Sequence, residues 1–274
     1  MSLPISVYII TKNEAERIGR VIASVVDWVD EVVVVDSGSE DETVQMAERA
    51  GARVLFNAWP GYGPQKRFAE EQCRNDWLFN LDADEEVSLA LAAEIQRLFA
   101  AGGPTDQALR MRVTDVLPGE REPKWFAYSY HIVRLYDRRY GRCSDHPYKD
   151  RVQMESGSVG RLAGRIYHHS FRSWETTVDK LNFYTSQLAR DRCRRPLPLL
   201  RLRLFTEFPL QFLKCYLGRR FIFRGSTGLA MSLTIAYLNL LRLLKTDERL
   251  RSGADASDQG EAEAGREAAD KRAA

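Results

Sequence analysis

The sequence predicts an α/β fold built on a mostly parallel sheet, and two features of residues 1–115 support this prediction. Short β-branched apolar runs alternate with segments of helical periodicity, a pattern typical of a parallel sheet covered by helices on both faces. Polar motifs follow these strands, and such sheets bind ligands beyond the carboxyl ends of their strands. The predicted strands are 5–10, 31–35, 52–56 and 77–81, and the predicted helices are 14–26, 41–50, 65–74 and 89–101.

The pattern changes after residue 108 to short strand-like pieces and loops rich in aromatic residues and arginine. Helical periodicity returns over residues 174–190, and residues 196–246 are apolar and basic. We therefore predict a domain over 1–190 with halves 1–115 and 116–190. We also predict a helical basic-apolar segment over 191–250 and, from its acidic Ala/Gly/Ser-rich composition, a disordered tail over 251–274.

The composition limits the class of protein. A chain of 274 residues can bury a large core, and its net charge of +2 does not indicate a nucleic-acid partner. The four cysteines show no paired or metal-ligand spacing, which favours free thiols in a reducing compartment. No signal peptide is evident at the N-terminus, so we expect a cytoplasmic protein.

Two carboxylates follow the strand over residues 77–81. Asp82 and Asp84 are separated by one residue, and they repel each other unless a cation lies between them. Carboxylate oxygens suit Mg²⁺ or Mn²⁺, which proteins often hold through one or two carboxylates plus substrate phosphates. The pattern thus indicates a metal–diphosphate site, although a lone Asp-x-Asp is more often a polar turn.

The loops after the first three strands add candidate ligands. The first strand ends in Thr11-Lys12-Asn13-Glu14, without the glycine-rich loops of dehydrogenases or P-loop proteins. Asp36 ends the second strand and can accept from a base N–H or a ribose hydroxyl; a capping role is the alternative. After the third strand, Lys66 and Arg67 could hold a diphosphate, and solvated surface charges are the alternative.

Taken together and in order, these motifs resemble the family 2 glycosyltransferases of GT-A fold. The resemblance rests on the segments 9–14 (Ile-Ile-Thr-Lys-Asn-Glu), 35–43 (Val-Asp-Ser-Gly-Ser-Glu-Asp-Glu-Thr), 61–66 (Gly-Tyr-Gly-Pro-Gln-Lys) and 81–85 (Leu-Asp-Ala-Asp-Glu). It is strong over the first ~100 residues, about one small domain in length, and continues weakly to residue 185. The most similar subgroup adds sugars to the lipopolysaccharide inner core.

The resemblance implies roles for particular residues. The donor pocket would be formed by Thr11, Asn13, Glu14, Asp36, Gln65 and Lys66, with Asp36 on the uracil or its ribose. Asp82 would face ribose or metal, Asp84 would ligate Mn²⁺ or Mg²⁺, and His168 would lie near the metal or diphosphate. A divalent ion in that place neutralises the departing diphosphate.

Inverting sugar transfer needs a base that removes the proton from the acceptor hydroxyl. The subgroup has a His-Glu or His-Asp pair before Arg-Val, and this chain has Lys149-Asp150-Arg151-Val152, which keeps the acid and replaces the histidine. We therefore predict Asp150 as the base, with Asp145 second and Asp137 third. A surface ion pair with Arg151 is the alternative for Asp150.

The segment 190–224 contains ten basic residues and two acids, interleaved with large apolar side chains. Its uncharged continuation, residues 228–241, is shorter than the ~20 residues of a bilayer span. Basic amphipathic segments lie in the interface of anionic membranes. We therefore expect a peripheral protein on the inner face of the cytoplasmic membrane, and a soluble helical pair packed on the catalytic domain is the alternative.

These inferences predict a metal-assisted inverting glycosyltransferase that moves a sugar from a nucleotide-activated, UDP-linked donor to a lipopolysaccharide-core or other lipid-linked glycan. A catalytically silent, membrane-associated nucleotide-binding scaffold of the same fold is the alternative. A sugar nucleotidyltransferase is a second enzymatic rival, but it would show a glycine-rich, Arg-containing loop after the first strand. The sequence does not determine the sugar, the acceptor hydroxyl or the oligomeric state.

Overall fold

The computed structural model describes residues 2–117, 119–148, 150–191 and 197–252. The chain forms two compact units, Met1–Ser170 and Phe171–Ala274. The division falls before the expected boundary at residue 190, because the helix over 174–191 groups with the helices that follow it. The predicted tail lies outside the described residues except for its first two, which end a helix.

The first unit contains ten strands and four helices within the described residues. The strands are β1 (Leu3–Thr11), β2 (Val29–Asp36), β3 (Arg53–Phe56), β4 (Trp77–Asp82), β5 (Glu85–Val87), β6 (Ala108–Asp115), β7 (Ser129–Asp137), β8 (Gly141–Cys143), β9 (Val152–Met154) and β10 (Val159–His168). The helices are α1 (Ala15–Ala23), α2 (Thr43–Arg49), α3 (Tyr62–Gln72) and α4 (Leu89–Ala100).

Eight of these strands form one sheet in the order β3-β2-β1-β4-β7-β6-β10-β5. Strands β3, β2, β1 and β4 are parallel to one another, as are β6 and β10, whereas β7 and β5 run antiparallel to their neighbours. The carboxyl ends of β1, β2, β4, β6 and β10 therefore lie at one edge of the sheet. Strands β8 and β9 form a separate hairpin pair.

The sheet is covered on both faces, as the continuous apolar strands predict. Along β1, Val7 and Ile9 pack in one core cluster with residues of α1 and α4. The intervening Tyr8 and Ile10 pack in a second cluster with Ala69 of α3. Alternate side chains of a strand point to opposite faces, so both helical layers are needed to bury them. The α/β fold of GT-A type is confirmed.

The second unit consists of helices α5 (Trp174–Asp191), α6 (Leu197–Leu213) and α7 (Gly225–Ser252), with a π-helical turn at Lys214–Gly218 and a 3₁₀ turn at Phe221–Arg224. Among the described residues, the stretch Phe221–Ser252 is long and apolar enough to cross a bilayer by length and composition, and an 18-residue window within it has a mean hydropathy of 1.4. This stretch exceeds the apolar run read from the sequence because α7 continues past the charges at Arg242 and Lys245.

Candidate active site

The polar motifs converge at the edge of the sheet where the parallel strands end. Thr11 at the end of β1 is paired with Asp36 at the end of β2, and Ile10 is paired with Asp82 at the end of β4. On the other side of the antiparallel β7, the ends of β6 and β10 pair Asp115 with His168. The parallel directions of these strands bring motifs from distant parts of the chain to one edge.

One buried ammonium group joins the strand-end acid to the predicted base. The Nζ atom of Lys66 lies 2.7 Å from Oδ1 of Asp82 and 2.5 Å from Oδ2 of Asp150. Burial disfavours the charged form of Lys66, but the two carboxylates outweigh burial and hold the pKa of the ammonium above its usual value. Asp150 is thereby placed beside the strand-end carboxylates.

Asp82 is held by two cations. Its Oδ2 atom accepts a hydrogen bond from Arg134 of β7 at 2.7 Å, in addition to the Lys66 contact at Oδ1. Burial alone would raise the pKa of Asp82, but Arg134 and Lys66 outweigh burial and hold it well below its usual value. Asp82 is therefore ionised throughout the neutral range, and each of its oxygens already accepts from a cationic side chain.

Beneath this pair lies Glu85, a fully buried carboxylate. It forms an ion pair with Arg134 and accepts a hydrogen bond from the backbone N–H of Asp82 at 3.1 Å. Burial raises the pKa of Glu85, although Arg134 opposes this effect. The roles of Arg134 and Glu85 are not evident from the sequence, because the two residues resemble the surface charges around them until β7 is placed beside β4.

Asp84 and His168 face each other on the other side of the site. Oδ1 of Asp84 lies 3.5 Å from Nε2 of His168, while Nδ1 of His168 lies 2.9 Å from Oδ1 of Asp115. Burial would lower the pKa of His168, but its contacts with Asp115 and Asp84 outweigh burial and raise it well above the usual value. Asp115 was not predicted as a site residue; its position at a strand end was the only available signal.

Arg17 of α1 contacts three residues on this side of the site. Its Nη1 atom donates to the carbonyl of His169 at 2.8 Å and lies 3.8 Å from Oδ2 of Asp84. Its Nε atom donates to Glu14 at 2.7 Å. The backbone N–H of His169, the residue after His168, donates to the carbonyl of Asp84 at 2.8 Å and so holds the end of β10 against the Asp84 turn.

The predicted donor-pocket residues at β1 and β2 lie together. The carboxylate of Asp36 accepts hydrogen bonds from the backbone N–H groups of Gly38 and Ser39, at 2.8 and 2.9 Å, which gives it the loop-capping role considered as the alternative. Asn13 has a positive φ of 55°, and its side chain accepts from the N–H of Glu40. These contacts fix the two loops against each other at the edge of the sheet.

Thr11 differs from these loop residues, because its hydroxyl is buried and no group among the described residues hydrogen-bonds to it. Gln65 is fully buried, and its amide donates to Ser37 Oγ and the carbonyl of Asn57 at 3.0 and 3.1 Å. The side chain of Gln65 therefore stabilises the loops after β2 and β3 from within the protein.

The start of α3 packs closely on the loop that leads to Asp150. The helix begins at Tyr62, earlier than the predicted residue 65, and the backbone N–H of Tyr62 donates to the carbonyl of Pro147 at 2.8 Å. A Cβ atom at Gly63 would lie 2.2 Å from the carbonyl oxygen of Ser144. Gly61 and Gly63 thus permit a close helix-to-loop contact, which sets Lys66 next to Asp150.

The other base candidates occupy different positions. Asp145 is exposed on the loop before Asp150. The third candidate, Asp137, was wrong: it pairs with Trp77 at the start of β4, which places it at the opposite edge of the sheet, where it binds Arg139. The ion-pair partner of Asp150 is Lys66 and not Arg151, which was the alternative considered for this residue. Lys149 lies outside the described residues.

The described residues contain no group of three or more His, Cys, Asp or Glu side chains arranged to hold a metal ion. The donors that face each other are the Asp84 carboxylate and the His168 imidazole. Two protein ligands are enough for an ion such as Mg²⁺, which takes its remaining ligands from phosphates and water. The Asp115 contact also fits, since ligating histidines commonly donate their other N–H to a carboxylate.

Comparisons with known proteins show the family to which this chain is similar. Residues 6–152 match the family model described as glycosyl transferase family 2. A glycosyltransferase described as uncharacterized from Rickettsia felis is 39% identical over 255 residues, which cover 90% of each chain. The lipopolysaccharide core biosynthesis glycosyltransferase LpsC of Rhizobium meliloti is 30% identical over 262 residues, covering 90% of this chain and 93% of LpsC.

Among solved structures, the glucosyl-3-phosphoglycerate synthase of Mycobacterium tuberculosis in complex with Mg²⁺ and UDP is 28% identical to this chain. The match covers 43% of this chain and 45% of that protein, with a TM-score of 0.33.

Proposed function

This chain belongs to the family 2 glycosyltransferases, and on that basis we propose that it transfers a sugar from a UDP-linked donor to a hydroxyl of a lipid-linked glycan, with inversion at the anomeric carbon. The observation that carries the proposal is the contact of Lys66 with both Asp82 and Asp150, which sets a candidate base beside the strand-end acids. The similarity to LpsC supports an acceptor of the lipopolysaccharide-core type.

The donor binds where β1, β2 and β4 end. The buried hydroxyl of Thr11 faces this region with its hydrogen-bonding capacity unused by the described residues, and Asn13, Glu14 and Asp36 lie on the two adjoining loops. Asp82 suits a ribose hydroxyl, which can donate to a carboxylate that also accepts from Lys66 and Arg134. A metal ion at Asp82 would instead be repelled by the positive charges of Lys66 and Arg134.

A divalent ion, Mn²⁺ or Mg²⁺, would be held by Asp84 and His168. Asp84 lies on the same loop as Asp82, and Asp115 holds His168 with its Nε2 atom toward Asp84. When bound, the ion neutralises the negative charge that develops on the departing diphosphate. Asp115 fixes the orientation of the imidazole, and Arg17 fixes the main chain of the segment that follows it.

Asp150 accepts the proton of the acceptor hydroxyl. The oxygen of that hydroxyl attacks the anomeric carbon from the side opposite the diphosphate. Lys66 positions this carboxylate through its contact with Oδ2. A general base contributes about 10²–10⁴-fold to a rate, so we expect Asp150→Asn to lower kcat by that factor while donor binding is retained. Asp145→Asn is the matched control on the same loop, and loss of transfer in that variant alone would assign the base to Asp145.

Calorimetric titration with UDP-, GDP- and ADP-sugars, in Mn²⁺ and then in EDTA, tests the donor half. We expect one UDP-sugar to bind in a metal-dependent manner, and Asp84→Ala to remove the metal dependence. Full transfer activity in Asp84→Ala would refute the metal role. Donor binding by the native chain without transfer to any lipid-linked glycan would favour the silent scaffold.

The second unit has exposed apolar side chains suited to contact with a membrane. Phe205 of α6 and Phe223 of the 3₁₀ turn are 83% and 68% exposed, and other large apolar side chains of this unit are also exposed. Exposed apolar residues interleaved with Arg and Lys are typical of a helix pair in the interface of an anionic membrane. We therefore propose a peripheral location on the cytoplasmic membrane, facing the cytoplasm.

Sedimentation with vesicles of phosphatidylcholine and phosphatidylglycerol tests this location. We expect the double variant Phe205→Ser/Phe223→Ser to lose most vesicle binding while it still binds the UDP-sugar. Unchanged sedimentation would refute a membrane contact through these residues.

A further inference from the structure

Four arginines lie on one face of the sheet, on the adjacent strands β6 and β10. The parallel register pairs Arg110 with Arg161 and Arg112 with Arg165. Intervening side chains of these strands, such as Met111, are buried in the core. The register shifts between Arg161 and Arg165, but all four arginines follow or precede buried residues of their strands. Arg110 and Arg161 are exposed and Arg112 and Arg165 are half-buried, so the four lie away from the core.

The surrounding residues leave this charge uncompensated. His131 of β7 is exposed and pairs with Arg112, and its pKa is lowered by partial burial and by the nearby arginines, with no acid opposing them. Among the residues that the structure describes, none of the four guanidinium groups forms an ion pair. The acids near these strands are Glu86, Glu122, Glu94 and Asp106. Glu86 and Glu122 lie close to Tyr167, Glu94 accepts from the backbone N–H groups of Ala163 and Gly164, and Asp106 lies beside Gly160. Within the part of the chain that the structure describes, none of these acids forms an ion pair with the four arginines.

Such an arrangement is unfavourable for the sheet by itself. Like charges placed directly opposite each other on neighbouring strands destabilise a sheet, and here two successive cross-strand pairs are both arginine. An anion lying across the two strands would offset this repulsion. The planar guanidinium group suits phosphate and carboxylate oxygens, to which it can donate two parallel hydrogen bonds.

The strands direct this surface toward the candidate active site. Arg112 and Arg165 each precede a site residue, Asp115 and His168, by three positions on the same strand, so their side chains lie on the other face of the sheet from these two residues. Arg110 pairs with Val133, which packs in the same cluster as Ala69 of α3, so the arginines share the face of the sheet on which the helix that carries Lys66 packs. At ~3.3 Å per residue, these arginines lie about 10 Å from the site, and the second pair lies farther along the same strands. The charges therefore form a line leading away from the site, which matches an extended ligand with several anionic groups better than a single small ion.

We propose that this surface, the arginine stripe (Arg110, Arg112, Arg161 and Arg165), binds the anionic groups of a phosphate- or carboxylate-bearing acceptor glycan. The proposal rests on the proposed function, because it assigns the stripe to the acceptor of the same reaction. The stripe holds the acceptor by groups remote from the hydroxyl that receives the sugar. Neutral glycans of the same size are therefore poorer ligands.

Calorimetry with sucrose octasulfate, a small polyanionic saccharide, tests the stripe in the full-length chain with UDP and Mn²⁺ present to occupy the donor site. The test variant is Arg110→Gln/Arg161→Gln, the pair farther from the active site. The matched control, Arg49→Gln/Arg97→Gln, removes the same charge from exposed helical positions of the same unit. We expect the affinity to fall about tenfold or more in the test variant and to change less than about twofold in the control.

Several outcomes would overturn the proposal. These are no binding of sucrose octasulfate by the native chain, an equal loss in both double variants, and equally tight binding of unmodified sucrose. Loss of binding to phosphatidylglycerol vesicles with saccharide binding unchanged would assign the stripe to the membrane. A change in oligomeric state or unfolding temperature confined to the test variant would assign it to a protein contact. UDP-sugar binding, measured on the same samples, decides the proposed function separately.

Discussion

Lys66 is a buried cation between two carboxylates, and its replacement by methionine would remove the charge while keeping most of the side-chain volume. Its side chain is 1% exposed, whereas those of Asp82 and Asp150 are 34% and 35% exposed. Removing one partner of a fully buried ion pair costs about 3–5 kcal/mol. Water can reach both carboxylates and Arg134 still holds Asp82, so we expect Lys66→Met to lower the free energy of unfolding by about 2–3 kcal/mol.

Urea unfolding followed by circular dichroism measures this change, with Lys12→Met as the matched control. Lys12 is exposed, and we expect its replacement to change the free energy of unfolding by less than about 0.5 kcal/mol. The double variant Lys66→Met/Asp150→Asn tests the contact itself, because residues in direct contact are not additive. We expect the double variant to be more stable than the sum of the two single changes predicts, by about 1 kcal/mol or more.

Two results would refute this reasoning. A loss of stability in Lys66→Met no larger than that in Lys12→Met would show that the ammonium is not buried between the carboxylates. Strict additivity in the double-mutant cycle would show that Lys66 does not hold Asp150, and the assignment of Asp150 as a positioned base would lose its main support.

Three further predictions concern two residues of the site and one at the opposite edge of the sheet. Asp115→Asn should weaken Mn²⁺ binding about 10–100-fold, because it removes the carboxylate that orients His168, while metal-free UDP binding stays unchanged in calorimetry. Gly63→Ala should lower the melting temperature and, by displacing the loop at Ser144, reduce kcat; wild-type values of both would contradict the close contact.

Burial would raise the pKa of Asp137, but hydrogen bonds from Arg139 outweigh it and hold the pKa below its usual value. The stability advantage over Asp137→Asn should therefore be present above about pH 4 and disappear as the pH falls through the folded-state pKa. Urea titrations at several pH values check this dependence, and an advantage that grows on acidification would contradict it.

The sequence by itself determined the elements and the chemistry at their ends. Apolar runs of strand length, followed by acids at Asp36 and Asp82, are local patterns that do not depend on how the strands are ordered. The four predicted strands and the helices between them are all present, with ends shifted by a few residues. The sequence pattern predicts that helix α3 begins at residue 65, but it begins at Tyr62, because its first turn depends on a contact with Pro147 that the sequence pattern does not contain.

The tertiary structure decided which of these groups meet. The antiparallel direction of β7 brings Arg134 to Asp82 and carries Asp137 to the opposite edge, and no local pattern contains that direction. The parallel pairing of β6 with β10 joins Asp115 to His168 and also creates the arginine stripe. Such contacts join residues about 50 or more positions apart, as with Arg134 and Asp82 at a separation of 52, so they depend on strand order and register.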